Sequence, residues 1–368
     1  MFFFSKKLHY LCNPLIFKRL HFQEMKKKIG YFLILIFFLI FSGSILFYEL
    51  LFSDNIHDLQ NKKNHVFFVY TGSSYNDVIA LLKKQHIIKN MKTFELVAKR
   101  FHYDEHIRPG RYVLNNYSGN LMLVKKLRSG SQDPVNITFN NVQNKEQLAE
   151  KISKQIEASK DDLLSEFNNR KFLDSLDLTE DNFPTIFLAN TYQFYWNTSA
   201  KEFINRMLKE YHKFWTESRL QKAQSLSLSP TEVIILASII QKESTKYDEY
   251  PIIAGVYMNR LQIGMPLQAD PTVLFGLKKL GISRRVNSAD LKSDTPYNTY
   301  RNKGLPPGPI CLPELKSIDE TLNADDHNYL YFCAKEDFSG YSNFAETWEQ
   351  HLANARKYQK ALDEHNIH

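Results

Sequence analysis

The hydrophobic and polar positions along this chain change pattern three times. From Ile29 to Tyr48 the sequence IGYFLILIFFLIFSGSILFY runs twenty residues without a charge. At 1.5 Å per residue such a helix is about 30 Å long, the thickness of a bilayer hydrocarbon core. After a polar stretch from Ser53 to Asn64, short apolar runs and amphipathic segments take over. Val66–Tyr70 and Arg111–Leu114 read as strands, and Tyr75–Lys84, Thr93–Phe101 and Asn120–Arg128 as helices, the last closed by Gly130. A strand-then-helix pattern returns at Val135–Phe139 and Lys145–Ile156, pointing to a weak duplication or to strands of both units sharing one sheet. Helical periodicity then covers Lys160–Leu176 and Ala200–Ala223. The expected fold is α+β: a tail at 1–28, a transmembrane helix at 29–48, a stalk at 49–64, a small α/β module at 65–134 and a mostly helical domain with short strands at 135–368.

The third pattern carries candidate chemistry. Ser229-Pro230-Thr231-Glu232 places Ser at an N-cap, Pro at the first helical position and Glu at the third, a strong helix start. The helix continues VIILASIIQKES. At about 100° per residue, Leu236, Ile239 and Ile240 all lie within roughly 60° of Glu243, so this carboxyl projects from the apolar face. A carboxylate there must be paired, neutral or facing a cleft. Desolvation raises its pKa, as a general acid near neutral pH requires. An ion pair with Arg260, or exposure where the helix ends, is the plainer alternative. A second helix is expected over Pro251–Leu261, stopped by Gly264, and a third beginning with Asp270 as N-cap and Pro271 at its first position. The segments at 295–300 and 304–308 are stiff loops rich in aromatic and amide groups, suited to sugar rings or simply to ordered turns. Tyr329–Cys333 reads as a strand. Asn343–Leu362 reads as a C-terminal helix whose aromatic stripe, with Trp348 and Tyr358, is expected to be core.

Charge changes the picture once it is located. The net +7 is concentrated in residues 1–28, where seven basic residues face only Glu24, leaving a net of +1 for the remainder. A near-neutral remainder gives no nucleic-acid footprint. Lys26-Lys27-Lys28 against the apolar run favours a cytoplasmic N-terminus. A cleaved signal peptide would have a shorter apolar core and a small-residue cleavage site, neither of which follows here. Met25 before the three lysines also reads as a translation start, with residues 1–24 an over-long reading of the gene. Of three cysteines, Cys12 falls on the cytoplasmic side, and Cys311 and Cys333 form a bridge only if the compartment oxidises them. The histidines, His351 and His365 included, show no metal-ligand spacing, and no cofactor is implied.

LASIIQKES at 236–244, VYMNRLQIGMPLQADPTVLFG at 256–276, TPYNTY at 295–300, GLPPGPI at 304–310 and YLYF at 329–332 occur in this order. Together they resemble the YceG-like family of endolytic murein transglycosylases. NTYQFYWNTSA at 190–200 resembles the segment before the family's catalytic core, and residues 66–130, with PGRY, resemble its small LysM-like module. The chain departs from the family at Ala189-Asn190, where Pro-Asp is usual, and at Asn140-Asn141, where Glu-Gly is common. The resemblance implies a single-pass protein of the cytoplasmic membrane with its catalytic part outside. It also implies non-hydrolytic cleavage between N-acetylmuramic acid and N-acetylglucosamine, leaving 1,6-anhydro ends and limiting nascent strand length. Glu243 takes the catalytic position. Asn259, Gln268, Asp270, Tyr297 and Asn298 are the candidates to bind substrate. The partners implied are peptidoglycan glycan strands, the membrane and peptidoglycan synthases. A catalytically silent glycan-binding scaffold and a lysozyme-like hydrolase using Asp270 as second carboxylate remain alternatives.

Overall fold

The computed structural model describes residues 14–57, 64–115, 118–140, 142–279 and 286–365. Lys6, Lys7 and Cys12 of the tail, positions 58–63 of the expected stalk, and Asn141 lie outside the described residues. The chain divides into two compact units, Met1–Asp133 and Pro134–His368.

In the first unit, helix α1 (Pro14–Phe52) is longer than the apolar run alone. Much of its apolar surface is uncovered: Tyr31, Phe37, Leu46 and Tyr48 are all more than 60% exposed. By length and composition this is one helix able to cross a membrane. Its last turn is not free, because Leu51 is buried in the core of the small module. Gly119 sits directly on the backbone of Leu51 and Phe52, where no Cβ would fit. The expected stalk begins as ordered structure. Ile56 is fully buried, and Asn55 donates to Asn120 Oδ1 at 2.6 Å and accepts from the Asn90 backbone at 2.7 Å. A buried amide this well satisfied fixes its segment, which the polar composition of Ser53–Asn64 conceals.

Strands β1 (Asn64–Val69) and β2 (Gly110–Asn115) pair antiparallel, Phe67 opposite Tyr112. Phe67, Val69, Tyr112 and Leu114 point inward against α2 (Tyr75–Lys84), α3 (Met91–Arg100) and α4 (Asn120–Ser129). Ser74 and Asp77 form the capping box that starts α2. Gly130, at φ 72°, ends α4 in the left-handed region.

In the second unit, β3 (Val135–Phe139) pairs antiparallel with β4 (Asn190–Phe194), not with the strands of the module. Ile137, Phe139 and Phe194 enter a core with Phe167, Phe183, Phe187 and Phe203, formed with α5 (Lys145–Ser153), α6 (Lys160–Phe167), α7 (Arg170–Ser175) and α8 (Ala200–Phe214). The helical stretch expected over Lys160–Leu176 is divided in two, because Asn169 caps a new helix through the Phe172 amide. Thr216 likewise separates α8 from α9 (Glu217–Ser225).

Helix α10 (Pro230–Glu243) begins with the Ser229–Glu232 capping box and is buried without interruption from Val233 to Ile240. A helix apolar on all sides belongs at a domain centre. It packs against α11 (Tyr250–Gln262), α12 (Asp270–Gly276) and α14 (Leu315–Leu322), while α13 (Ser288–Leu291) packs on α12. The hairpin β5 (Tyr331–Ala334) and β6 (Ser342–Ala345) takes residues expected in the C-terminal helix, which is α15 (Trp348–Glu364). Thr347 starts α15 through a capping box with Gln350. The aromatic stripe of α15 is not core: Trp348 is 51% exposed, and only Leu362 of this helix is buried. Cys311 and Cys333 are free thiols. Cys311 lies buried in contact with the Ser238 carbonyl, and that burial pushes its thiol up to about 12.

Candidate active site

Helix α10 ends at Glu243, where Ser244 turns to extended backbone. The turn is fixed by Ser244 donating to Glu249 at 2.8 Å and by Tyr250 donating to the Ser244 carbonyl at 3.1 Å. Elsewhere on α10, Gln241 accepts from the Glu314 amide and from Ser317, both at 2.7 Å, and Ser238 accepts from the Ile310 amide at 3.0 Å. The polar residues of this apolar helix thus fasten the 304–314 segment, leaving Glu243 for another purpose.

Glu243 is half-buried, and its Oε1 accepts from the Tyr257 hydroxyl at 3.1 Å. No other hydrogen bond reaches the carboxyl among the described residues. Burial lifts its pKa from 4.5 to about 7; the Tyr257 hydroxyl and the Arg260 charge oppose the rise, and the nearby Asp270 charge adds to it. The position at a helix C-terminus disfavours a negative charge further. The expected alternative of an ion pair with Arg260 is not what Arg260 makes. Its Nε donates to the Leu330 carbonyl at 2.7 Å and its Nη1 to the Leu267 carbonyl at 2.6 Å, while the guanidinium lies over the Tyr331 ring, 5.6 Å from its centroid. Arg260 therefore ties the 265–269 loop to β5 and acts on Glu243 only through space.

Asp270 differs from its expected role. Ala269 occupies the N-cap position and Asp270 is already helical. Its carboxylate accepts from the Tyr300 hydroxyl at 2.6 Å. A phenol donating to an ionised carboxylate at this length is a strong, charge-assisted contact. The Thr272 amide, which an N-cap carboxylate would take, donates instead to the Ala269 carbonyl at 3.1 Å. The start of α12 is held instead by Thr299, whose hydroxyl accepts from the Ala269 amide at 2.9 Å.

The other candidates separate into two groups. Gln268 is exposed, in the left-handed region at φ 54°, with its backbone amide donating to the Thr299 carbonyl. Asp270 is likewise exposed. Asn259 donates to the carbonyls of His327 and Tyr329, and Asn298, fully buried, donates to those of Leu291 and Ser293. Both amides brace loops. Tyr297 is buried against Phe275, and its hydroxyl donates to Asp181 at 3.3 Å, away from Glu243. It lines a cavity of about 570 Å³ that Glu243 does not border. Tyr257 and Tyr300, which donate to Glu243 and Asp270, are contacts the sequence did not single out. The available signal was a hydroxyl at position 257, on an otherwise apolar helical face.

The YceG-like family profile matches residues 67–357. This chain belongs to the YceG-like family. The endolytic murein transglycosylase of Bacillus subtilis is 31% identical over 311 residues, covering 80% of this chain and 84% of that protein. The endolytic murein transglycosylase of Streptococcus pneumoniae serotype 2 is 27% identical over 330 residues, and the chain spans 59% of its length. A crystal structure of a yceG-like protein from Listeria monocytogenes matches with a TM-score of 0.51 at 28% identity, covering 80% of this chain and 99% of that one. The YceG-like match takes in both α10 and α12, and with them Glu243, Tyr257, Asp270 and Tyr300.

Proposed function

We propose that this protein is a membrane-anchored endolytic lytic transglycosylase that cleaves the bond between N-acetylmuramic acid and N-acetylglucosamine in peptidoglycan strands, leaving 1,6-anhydro ends. One observation carries the reading. A half-buried carboxyl, Glu243, is held by a tyrosine hydroxyl at the end of a fixed helix, with its pKa lifted to about 7. Near neutral pH such a group both gives and takes a proton.

In the first step protonated Glu243 donates to the glycosidic oxygen as the bond to C1 breaks and positive charge develops on the ring. In the second, the muramyl C6 hydroxyl attacks C1 and its proton returns to Glu243. No water is consumed and the carboxyl is regenerated. Because the nucleophile already belongs to the sugar, proximity replaces an activated water, and one carboxyl serves both steps. A lysozyme-like hydrolase would need a second carboxylate free to act. Asp270 is engaged by Tyr300, which supports the single-carboxyl reading and gives Asp270 an electrostatic role toward Glu243. Gln268, exposed beside it, is the candidate for an acetamido contact; Asn259 and Asn298 hold the loops around it, and Tyr297 holds the floor of α12. No cofactor enters the scheme.

Helix α1 would cross the cytoplasmic membrane with the basic residues inside, placing the small module at 65–134 and the second unit outside. The LysM-like reading of residues 65–134 gives that module the task of holding a strand near the membrane, where a cut would set strand length and where peptidoglycan synthases would supply the strand. The test of the assignment is Glu243→Gln, which should lower turnover by at least about 10²-fold. Turnover within a few-fold of wild type, with an unchanged melting curve, would remove Glu243 from the chemistry.

A further inference from the structure

The cavity beside Tyr297 is built differently from the surroundings of Glu243. Its floor is apolar, with Leu173, Leu178, Pro184, Phe275 and Pro309. The close fit of the 304–310 segment shapes one wall: Gly308 lies on the Asp181 carbonyl so tightly that any Cβ would clash. Around the rim stand charges of both signs. Lys145 is paired with Glu180 at 3.1 Å. Arg170, Asp174 and Glu146 have no ion pair among the described residues. Neutral sugars are recognised by amides, hydroxyls and aromatic faces, whereas an apolar floor with unpaired charges of opposite sign suits a short zwitterionic peptide with aliphatic side chains.

The position of the cavity is also specific. Helix α12 presents Asp270 at its start and Phe275, which lines the cavity, five residues later. At 1.5 Å and about 100° per residue the two are about 8 Å apart along the axis and about 140° apart around it. An extended peptide covers roughly 3.3–3.6 Å per residue, so four or five residues, about 13–18 Å, are needed to bridge from one face of the helix to the other. A peptidoglycan strand seated at Glu243 carries on its muramic acid a peptide of that kind, with alanyl methyls, free carboxylates and, in its diamino acid, an amine.

We propose that this cavity is a second binding site, which takes the peptide stem of the strand being cleaved. The inference rests on the glycan-cleaving reading of Glu243. Arg170 receives a stem carboxylate, Glu146 and Asp174 receive the amine, and the methyl groups lie on Leu178 and Phe275. The enzyme would then select peptide-bearing strands over glycan from which the stems have been removed.

The experiment compares peptide-bearing strands with the same strands stripped by an amidase, using the full chain in detergent. Wild type should show a KM about tenfold lower on the peptide-bearing strands, the effect of one charge-assisted contact. Arg170→Glu and, separately, Glu146→Lys should erase the difference by raising KM on those strands alone, with kcat, melting temperature and kinetics on stripped strands unchanged. Equal KM values in wild type, or losses of equal size on both substrates, would overturn the proposal. Calorimetry with the free stem peptide separates this claim from the assignment of Glu243. Saturable binding that Arg170→Glu removes supports the cavity even if no strand is cleaved. Normal cleavage of both strands without any peptide binding sinks the cavity and leaves Glu243 in place.

Discussion

Replacing Glu243 by Gln should make the second unit more stable at alkaline pH while removing its turnover. The carboxyl's pKa rises from 4.5 to about 7 on folding, chiefly through burial. A carboxyl with a raised folded pKa contributes fully to stability only below its unfolded value. That contribution is lost as pH climbs from about 4.5 through 7. At about 1.4 kcal/mol per pH unit, the ionised group costs the folded state about 3 kcal/mol by pH 8. Gln keeps the volume and the oxygen that accepts from Tyr257, and carries no charge to desolvate. For a unit of this size each kcal/mol moves Tm by about 2–4 °C, so the variant should melt roughly 6–12 °C higher at pH 8. The gap should close toward pH 4. Trp196, Trp215 and Trp348 are the only tryptophans and all lie in the second unit, so intrinsic fluorescence during heating reports that unit alone. A variant no more stable than wild type at pH 8, or a gap independent of pH, would refute the argument that burial of Glu243 is opposed by its charge. Stability given up at a desolvated carboxyl is what a functional site would show.

Three further outcomes follow from the same geometry. Tyr257→Phe removes the hydrogen bond that favours ionised Glu243, so the alkaline limb of the pH–rate profile should move to higher pH; a limb that stays put or falls would contradict the contact. Asp270→Asn keeps an acceptor for Tyr300 but removes the charge that raises Glu243, so that limb should move to lower pH with little change in melting temperature. An unshifted limb would show that the Asp270 charge does not reach Glu243. Protease applied from outside to cells with a permeabilised outer layer should digest the small module and the second unit and spare a tag at residue 1, whereas a soluble mature protein starting near residue 50 would identify α1 as a cleaved signal.

What could be read from the sequence was local. The Ser229–Glu232 capping box and the burial of Leu236, Ile239 and Ile240 on the face of Glu243 depend only on helical geometry. The strand at 135–139 showed in its own alternation, and the one at 66–70 in its short run of β-branched and aromatic residues. Contacts across sequence distance were not legible. Tyr257 reaches Glu243 across 14 residues and Tyr300 reaches Asp270 across 30. Asp270 before Pro271 has every local mark of an N-cap, and a tertiary hydroxyl outbids the backbone for it. The breaks at Asn169 and Thr216 were hidden because hydrophobic periodicity runs through them while a side-chain cap restarts the helix. The stripe of α15 looked like core because spacing alone cannot say whether a partner surface exists.

The central claim is that one carboxyl, Glu243, cleaves the glycan with the sugar's own hydroxyl as nucleophile. Mass spectrometry of products released from purified strands in water enriched in ¹⁸O tests it most directly. The account predicts 1,6-anhydro-muramyl ends without heavy oxygen, formed by wild type and absent with Glu243→Gln. Reducing ends carrying ¹⁸O would instead show attack by water and contradict it.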